Sequence, residues 1–119
     1  VRQCVGDLTI IAAHVGGWQA WDAVIEHLVG RDIYLDTSYI HQLEPRQLEQ
    51  LLSRHPHQRL LFASDSPWLS QREALGHVRS LPIGAGAIAD ILGNNAMRLA
   101  APARRCPQAT ADWQAGSFS

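Results

Sequence analysis

The chain has 119 residues, 46% of them hydrophobic, a formal net charge of -1 and two cysteines. This is the size of one ordinary domain, with enough apolar content to bury a core rather than stay disordered. The near-neutral charge, with the basic residues scattered until the Arg104-Arg105 pair, leaves no electrostatic footprint for nucleic acid or an anionic membrane surface. No apolar run approaches the roughly 18 residues of a membrane span. Cys4 and Cys106 have no C-x-x-C spacing, so neither a thiolate zinc site nor a redox pair is indicated, and reduced thiols in a soluble, cytoplasmic protein are expected.

The chain opens on Val1 rather than methionine and reaches an apolar run at once, from which a further N-terminal segment is expected. Residues 8–14, "LTIIAAH", form a near-continuous branched apolar run ended by His14, which suits a strand covered on both faces. In "VGGWQAWDAVIEHLVG", Trp21, Val24, Ile25 and Leu28 fall at the i, i+3, i+4, i+7 spacing of one helical face, and Gly30 supplies the stop. A second strand spans 32–37, and Pro45 opens a helix "PRQLEQLLSRH" with Leu48, Leu51 and Leu52 on its apolar stripe. A third strand spans 59–64, and "SQREALGHVRSL" forms the helix after it, with Ser70 as N-cap and Glu73 three residues on as its capping-box partner.

Beyond Pro82, two short helices are expected, Ala87 to Leu92 and Asn94 to Ala100, broken at Gly93. Residues 101–119 lose all periodicity, are rich in Ala, Pro and Ser, and are expected to form a tail outside the folded region, residues 1–100, with Trp113 and Phe118 isolated in it. Strands alternating with helices imply an α/β fold with a parallel sheet and right-handed crossovers. A closed (β/α)8 barrel needs about 250 residues, so this chain could supply about three of its eight units.

In parallel α/β folds ligands gather at the carboxyl ends of the strands. His14, Asp36 and Asp65 all lie at or near such ends, and an imidazole with carboxylates on one rim suits zinc or a similar divalent ion with a water left to be activated. Each also has a plainer reading. Asp65 before Ser66-Pro67 could accept backbone N–H groups in the turn, His14 could bond a carbonyl, and Asp36 in "LDTS" is more often a helix-capping or loop-fixing aspartate than a ligand. His27, His41, His55, His57 and His77 are expected to be solvated. Trp18 and Trp68 follow strand ends and could wall a pocket, whereas Trp21 belongs to the core face of its helix. "HVGGW" is neither a dinucleotide fingerprint nor a phosphate loop, so no nucleotide cofactor is indicated.

Taken in order, "DLTIIAAHVGGW", "DIYLDTSY", "RLLFASDSPW" and "ILGNNAMRL" resemble the last three βα units and closing helix of the amidohydrolase-related family of TIM-barrel metal-dependent hydrolases. The resemblance runs from about Gly6 to Ala100, and it implies the C-terminal portion of such a barrel. It implies that Asp65 is a metal ligand and proton acceptor for the attacking water, and that His14 lies at the metal and helps activate that water. The implied cofactor is a divalent ion, zinc first, and the implied substrate a small molecule. Asn94, Asn95, Arg98 and Leu99 match the closing helix, without a catalytic role. The family's H-x-H pair on the first strand and its histidine on the fifth have no counterpart here, and His14 with Asp65 are too few for a closed tetrahedral site. Relatives divide between hydrolysis and non-oxidative decarboxylation, so a decarboxylase is the enzymatic alternative. A truncated, inactive fragment is the alternative from another class, and an unclosed sheet with bare edges would self-associate.

Overall fold

The computed structural model describes Cys4 and residues 6–101; the expected tail, with Cys106, Trp113 and Phe118, lies beyond the described residues apart from Ala101. Three parallel strands, β1 (Ile11–Ala12), β2 (Tyr34–Asp36) and β3 (Leu60–Leu61), stand side by side in chain order. Ile11 faces Tyr34 and Ala12 faces Leu35 across the first pair, while Leu35 faces Leu60 and Asp36 faces Leu61 across the second. This is the α/β arrangement the alternation of strands and helices implies.

The regular ladder is shorter than the apolar runs at 8–14, 32–37 and 59–64. Among the described residues only β2 is paired on both sides, and the chain leaves β1 abruptly, because His14 and Val15 turn into the left-handed region at φ 56° and 53°. Cover is also uneven. Leu35 and Leu60 are fully buried, but Ile11 on β1 is 52% exposed, so among the described residues β1 is not covered on both faces as its composition suggests.

The helices follow their sequence signals closely. α1 (Trp21–His27) buries Trp21, Val24 and Ile25, the face its spacing selects. α2 (Pro45–Arg54) starts with Pro45 in its first turn and a capping box in which the Glu44 N–H donates to Gln47 Oε1 at 2.9 Å. The Gln47 amide also donates to Asp22 Oδ1 at 3.0 Å and so ties α2 to α1. α3 (Gln71–Arg79) carries the expected box: the Glu73 N–H donates to Ser70 Oγ and the Ser70 N–H to Glu73 Oε2. These bonds satisfy N–H groups that the first helical turn leaves without intrahelical partners.

The last segment departs from expectation. Instead of breaking at Gly93, the chain runs without interruption from α4 (Ala85–Ala89) through a π turn (Asp90–Asn94) into α5 (Asn95–Ala100). The extra residue is absorbed by widening one turn, so that the Asn95 N–H reaches the Asp90 carbonyl five residues back. The wide turn has a use. The Ile91 carbonyl accepts the Phe62 N–H at 3.0 Å just past β3, and Asn95, 1% exposed, donates to the carbonyls of His57 and Leu60 at 2.7 and 2.8 Å. Arg98 holds the opposite side of that amide by donating to Asn95 Oδ1. The closing helix is thereby pinned to the start of β3 by a buried amide. Replacing Asn95 by alanine leaves two carbonyls without their donor, and we expect a loss of about 3 kcal/mol, measured by chemical denaturation.

A second departure concerns His55, which is 2% exposed rather than solvated. Its Nδ1 accepts the Gly30 N–H at 3.1 Å, linking the end of α2 to the turn before β2, while its Nε2 is buried without a partner of good geometry. Burial holds its imidazole below the ordinary 6.5, partly offset by the nearby backbone carbonyls of Ile33 and Arg59. The unfolded chain therefore takes up a proton that the folded chain refuses. The stability this represents is complete above 6.5 and is lost as pH falls below it. His41 shifts in the same direction, through burial and then the charge of His77. The melting temperature should fall between about pH 7 and about pH 5.5, and His55→Asn, which keeps an acceptor for Gly30, should flatten that fall without abolishing it.

Candidate active site

The carboxyl ends of the three strands share one rim, and each loop leaving it carries a non-glycine residue at positive φ: His14 after β1, Tyr39 after β2 and Asp65 after β3, at 56°, 62° and 58°. Such conformations cost about 1–3 kcal/mol apiece, and they persist where surrounding bonds over-determine them. The bonds that hold them join the three loops to one another.

After β2, Asp36 Oδ1 accepts the backbone N–H groups of His14 and Ser38, both at 3.0 Å, and the Ser38 hydroxyl at 2.5 Å. Ser38 Oγ in turn lies 2.9 Å from His14 Nδ1. The Thr37 hydroxyl, from the same loop, accepts the Ala63 N–H at 3.2 Å and ties the exit of β2 to that of β3. After β3, the Tyr39 hydroxyl donates to Asp65 Oδ2 at 2.7 Å, which raises the phenol's own pKa because its proton is held by a carboxylate. The Tyr39 ring also meets the His14 imidazole edge to face, with centroids 5.2 Å apart. Tyr39 is therefore the bridge between the imidazole of one loop and the carboxylate of another.

His14, Tyr39 and Asp65 line a cavity of about 360 Å³ whose wall is completed by Trp18 and Trp68. His14 and Asp65 thus face the same space, as their strand-end positions suggest. Trp18 and Trp68 form its apolar sides at 54% and 81% exposure, while Trp21 is in the core. Trp18 is steadied by donating from Nε1 to Gln42 Oε1 at 3.2 Å. Asp36 does not line the cavity; it stands behind, fixing the loop. A larger cavity, about 530 Å³, lies between α2 and the link from α3 to α4, but its lining is dominated by Pro45, Leu48, Leu52, Pro82 and Ile83 and it holds none of the rim residues. His41 and His77 stack with ring centroids 4.2 Å apart; neither lines the cavity, although the His41 ring lies 6.3 Å from that of Tyr39.

An imidazole and a carboxylate are suitable donors for a divalent ion. They are also incomplete: among the described residues no group of three or more His, Cys, Asp or Glu side chains converges to hold a metal. The chain brings two donors to one rim. Sequence reasoning missed Ser38 and Tyr39, although both lie in the loop after β2, because their importance arises from partners 24 and 26 positions away.

The glycine after His14 is held tightly. Gly16 has φ +94°, and a Cβ there would lie 2.8 Å from Leu28 Cδ1 and 3.3 Å from Leu35 Cδ2. Leu28 could yield, so the backbone strain dominates. We expect Gly16→Ala to destabilise the fold by about 2 kcal/mol in thermal denaturation, whereas Gly93→Ala, whose Cβ meets nothing within 4 Å, should be neutral or slightly stabilising.

The amidohydrolase family model matches residues 5–99. No curated protein matches the sequence. Among solved structures, 2,6-dihydroxybenzoate decarboxylase from Rhizobium superimposes with a TM-score of 0.65 at 17% identity, over 82% of this chain and 36% of that one. The 5-carboxyvanillate decarboxylase from Sphingomonas paucimobilis gives 0.65 at 18% identity, over 82% and 35%. A dihydroxybenzoic acid decarboxylase from Polaromonas sp. JS666, with bound manganese and the inhibitor 2-nitroresorcinol, gives 0.62 at 19% identity, over 82% and 35%. The chain spans about a third of the length of these structures, and the likeness shows a shared fold, of which this chain carries a portion.

Proposed function

The chain belongs to the amidohydrolase family, and on that footing we propose that it supplies the C-terminal side of a metal-dependent hydrolase site acting on a small molecule. The observation that carries this reading is the convergence of His14 and Asp65, from two different strand ends, on one cavity. In this reading the two residues would hold a divalent ion, zinc in the first instance, together with ligands that lie outside the described residues. The chemistry the ion supplies is acidification of a bound water toward neutral pH.

The chain's own residues would do the rest. Asp65, an acceptor with Tyr39 donating to its Oδ2, would take the proton of the attacking water. His14, beside the ion, would help to position and activate that water, and the proton taken up by Asp65 would pass on to the leaving group. Trp18 and Trp68 would cover an apolar or planar portion of the substrate and keep bulk water from the reacting centre. The activity belongs to a protein that also has the remaining ligands, since two donors do not make a closed site.

Decarboxylation at the same site is the second reading, and it is favoured by the structural neighbours, which are decarboxylases of aromatic acids. The two are separated by their products: hydrolysis carries an oxygen atom from labelled water into the product, whereas decarboxylation releases carbon dioxide and does not.

The test of the site itself is Asp65→Asn in the full-length protein, read by metal content and turnover together. We expect bound metal to fall and turnover to drop by about 100-fold or more. Retention of both would remove Asp65 from the site and leave it as a turn residue.

A further inference from the structure

We propose that Ser38 and Asp36 form a positioning relay that holds His14 as its Nδ1–H tautomer and leaves the lone pair of Nε2 for the cavity. The argument is one of counting hydrogens. Asp36 Oδ1 accepts two backbone N–H groups, from His14 and Ser38. An oxygen engaged by two N–H donors is the unprotonated one, so toward Ser38 it again acts as acceptor. The Ser38 hydroxyl has a single hydrogen, and at 2.5 Å from Asp36 Oδ1 that hydrogen is committed to the carboxylate. Toward His14 Nδ1, 2.9 Å away, Ser38 Oγ has only lone pairs left. The hydrogen in that contact must then come from the imidazole.

In the neutral ring the proton on Nδ1 leaves Nε2 bare. Nε2 is the nitrogen across the ring from the relay, and His14 belongs to the cavity wall. An unprotonated nitrogen there can ligate a cation or accept a proton from water, whereas an Nε2–H could do neither. Burial makes the relay decisive. Ser38 is 1% exposed, so water does not substitute for it, and a hydroxyl free to turn would impose no tautomer. A role confined to shaping the loop would need only the two backbone bonds to Asp36; the Ser38 to His14 bond adds nothing to that. Ser38 and Asp36 are thus positioning residues that act through His14.

The proposal rests on the reading of His14 as a site residue, but its test reads the imidazole directly. The full-length protein, metal-free and labelled with 15N in its histidine rings, is examined by two-bond 1H–15N correlation at a pH where His14 is neutral, with His14→Gln assigning the signal. The relay predicts a pyrrole-like Nδ1 and a pyridine-like Nε2, against the Nε2–H form that predominates for a free histidine in water. Ser38→Ala should move the ring toward Nε2–H and weaken zinc binding about 10-fold or more. A wild-type His14 found as Nε2–H, or a tautomer unmoved by Ser38→Ala, overturns the relay, and the wild-type spectrum decides even if the variant fails to fold. If Nδ1–H is observed while His14→Gln keeps full metal content and turnover, the relay stands and the proposed function falls.

Discussion

One oxygen, Asp36 Oδ1, holds three donors from two loops: the His14 N–H, the Ser38 N–H and the Ser38 hydroxyl. A carboxylate bonded to N–H and O–H groups forms charge-assisted bonds, roughly twice as strong as neutral ones. Through it the exit of β1 is fixed against the exit of β2, and the left-handed turns at His14 and Val15 become tolerable. Without that fixed point, His14 would have no defined orientation toward Asp65, and Tyr39, next to Ser38, would not be placed to bridge them. The region of the molecule most open to chemistry therefore depends on a residue that does not line the cavity.

The opposite side of the sheet is organised by a different buried polar group. Asn95 binds the carbonyls of His57 and Leu60, and the π turn places the Ile91 carbonyl under Phe62, so β3 is held by the closing helix as well as by β2. β3 thus presents Asp65 from a supported strand. β1 has no such support on its outer side, and the exposure of Ile11 marks the place where the sheet is incomplete within the described residues. The likeness to longer barrels over about a third of their length agrees with a sheet whose outer neighbours lie elsewhere.

Much of this was legible in the sequence where the signal is local. Pro45, the Ser70–Glu73 box and the Trp21, Val24, Ile25 face each act within one helical turn, and the structure follows them. His14 and Asp65 were legible as site candidates because a parallel strand sends its last residues to one rim, and Asp36 was legible only as a helix-capping or loop-fixing aspartate, of which the structure shows the second. What the sequence did not disclose depends on partners far along the chain. Strand length is set by which neighbours pair, so an apolar run overstates it. His55 looks like a solvated helix end until Gly30 and the sheet close over it. Gly93 reads as a break by propensity alone, yet the bonds from Asn95 and Ile91 to the β3 region outweigh the roughly 1 kcal/mol that a helical glycine costs. Ser38 and Tyr39 carry no motif, and only the hydrogens they donate reveal them.

The central claim is that His14 and Asp65 are two ligands of one divalent ion. A crystal structure of the full-length protein grown with zinc, with the ion located by its anomalous signal, tests it most directly. The account predicts a single ion about 2.0–2.2 Å from both His14 Nε2 and an oxygen of Asp65. An ion ligated by neither residue, or a rim that stays empty while zinc binds elsewhere, would contradict it.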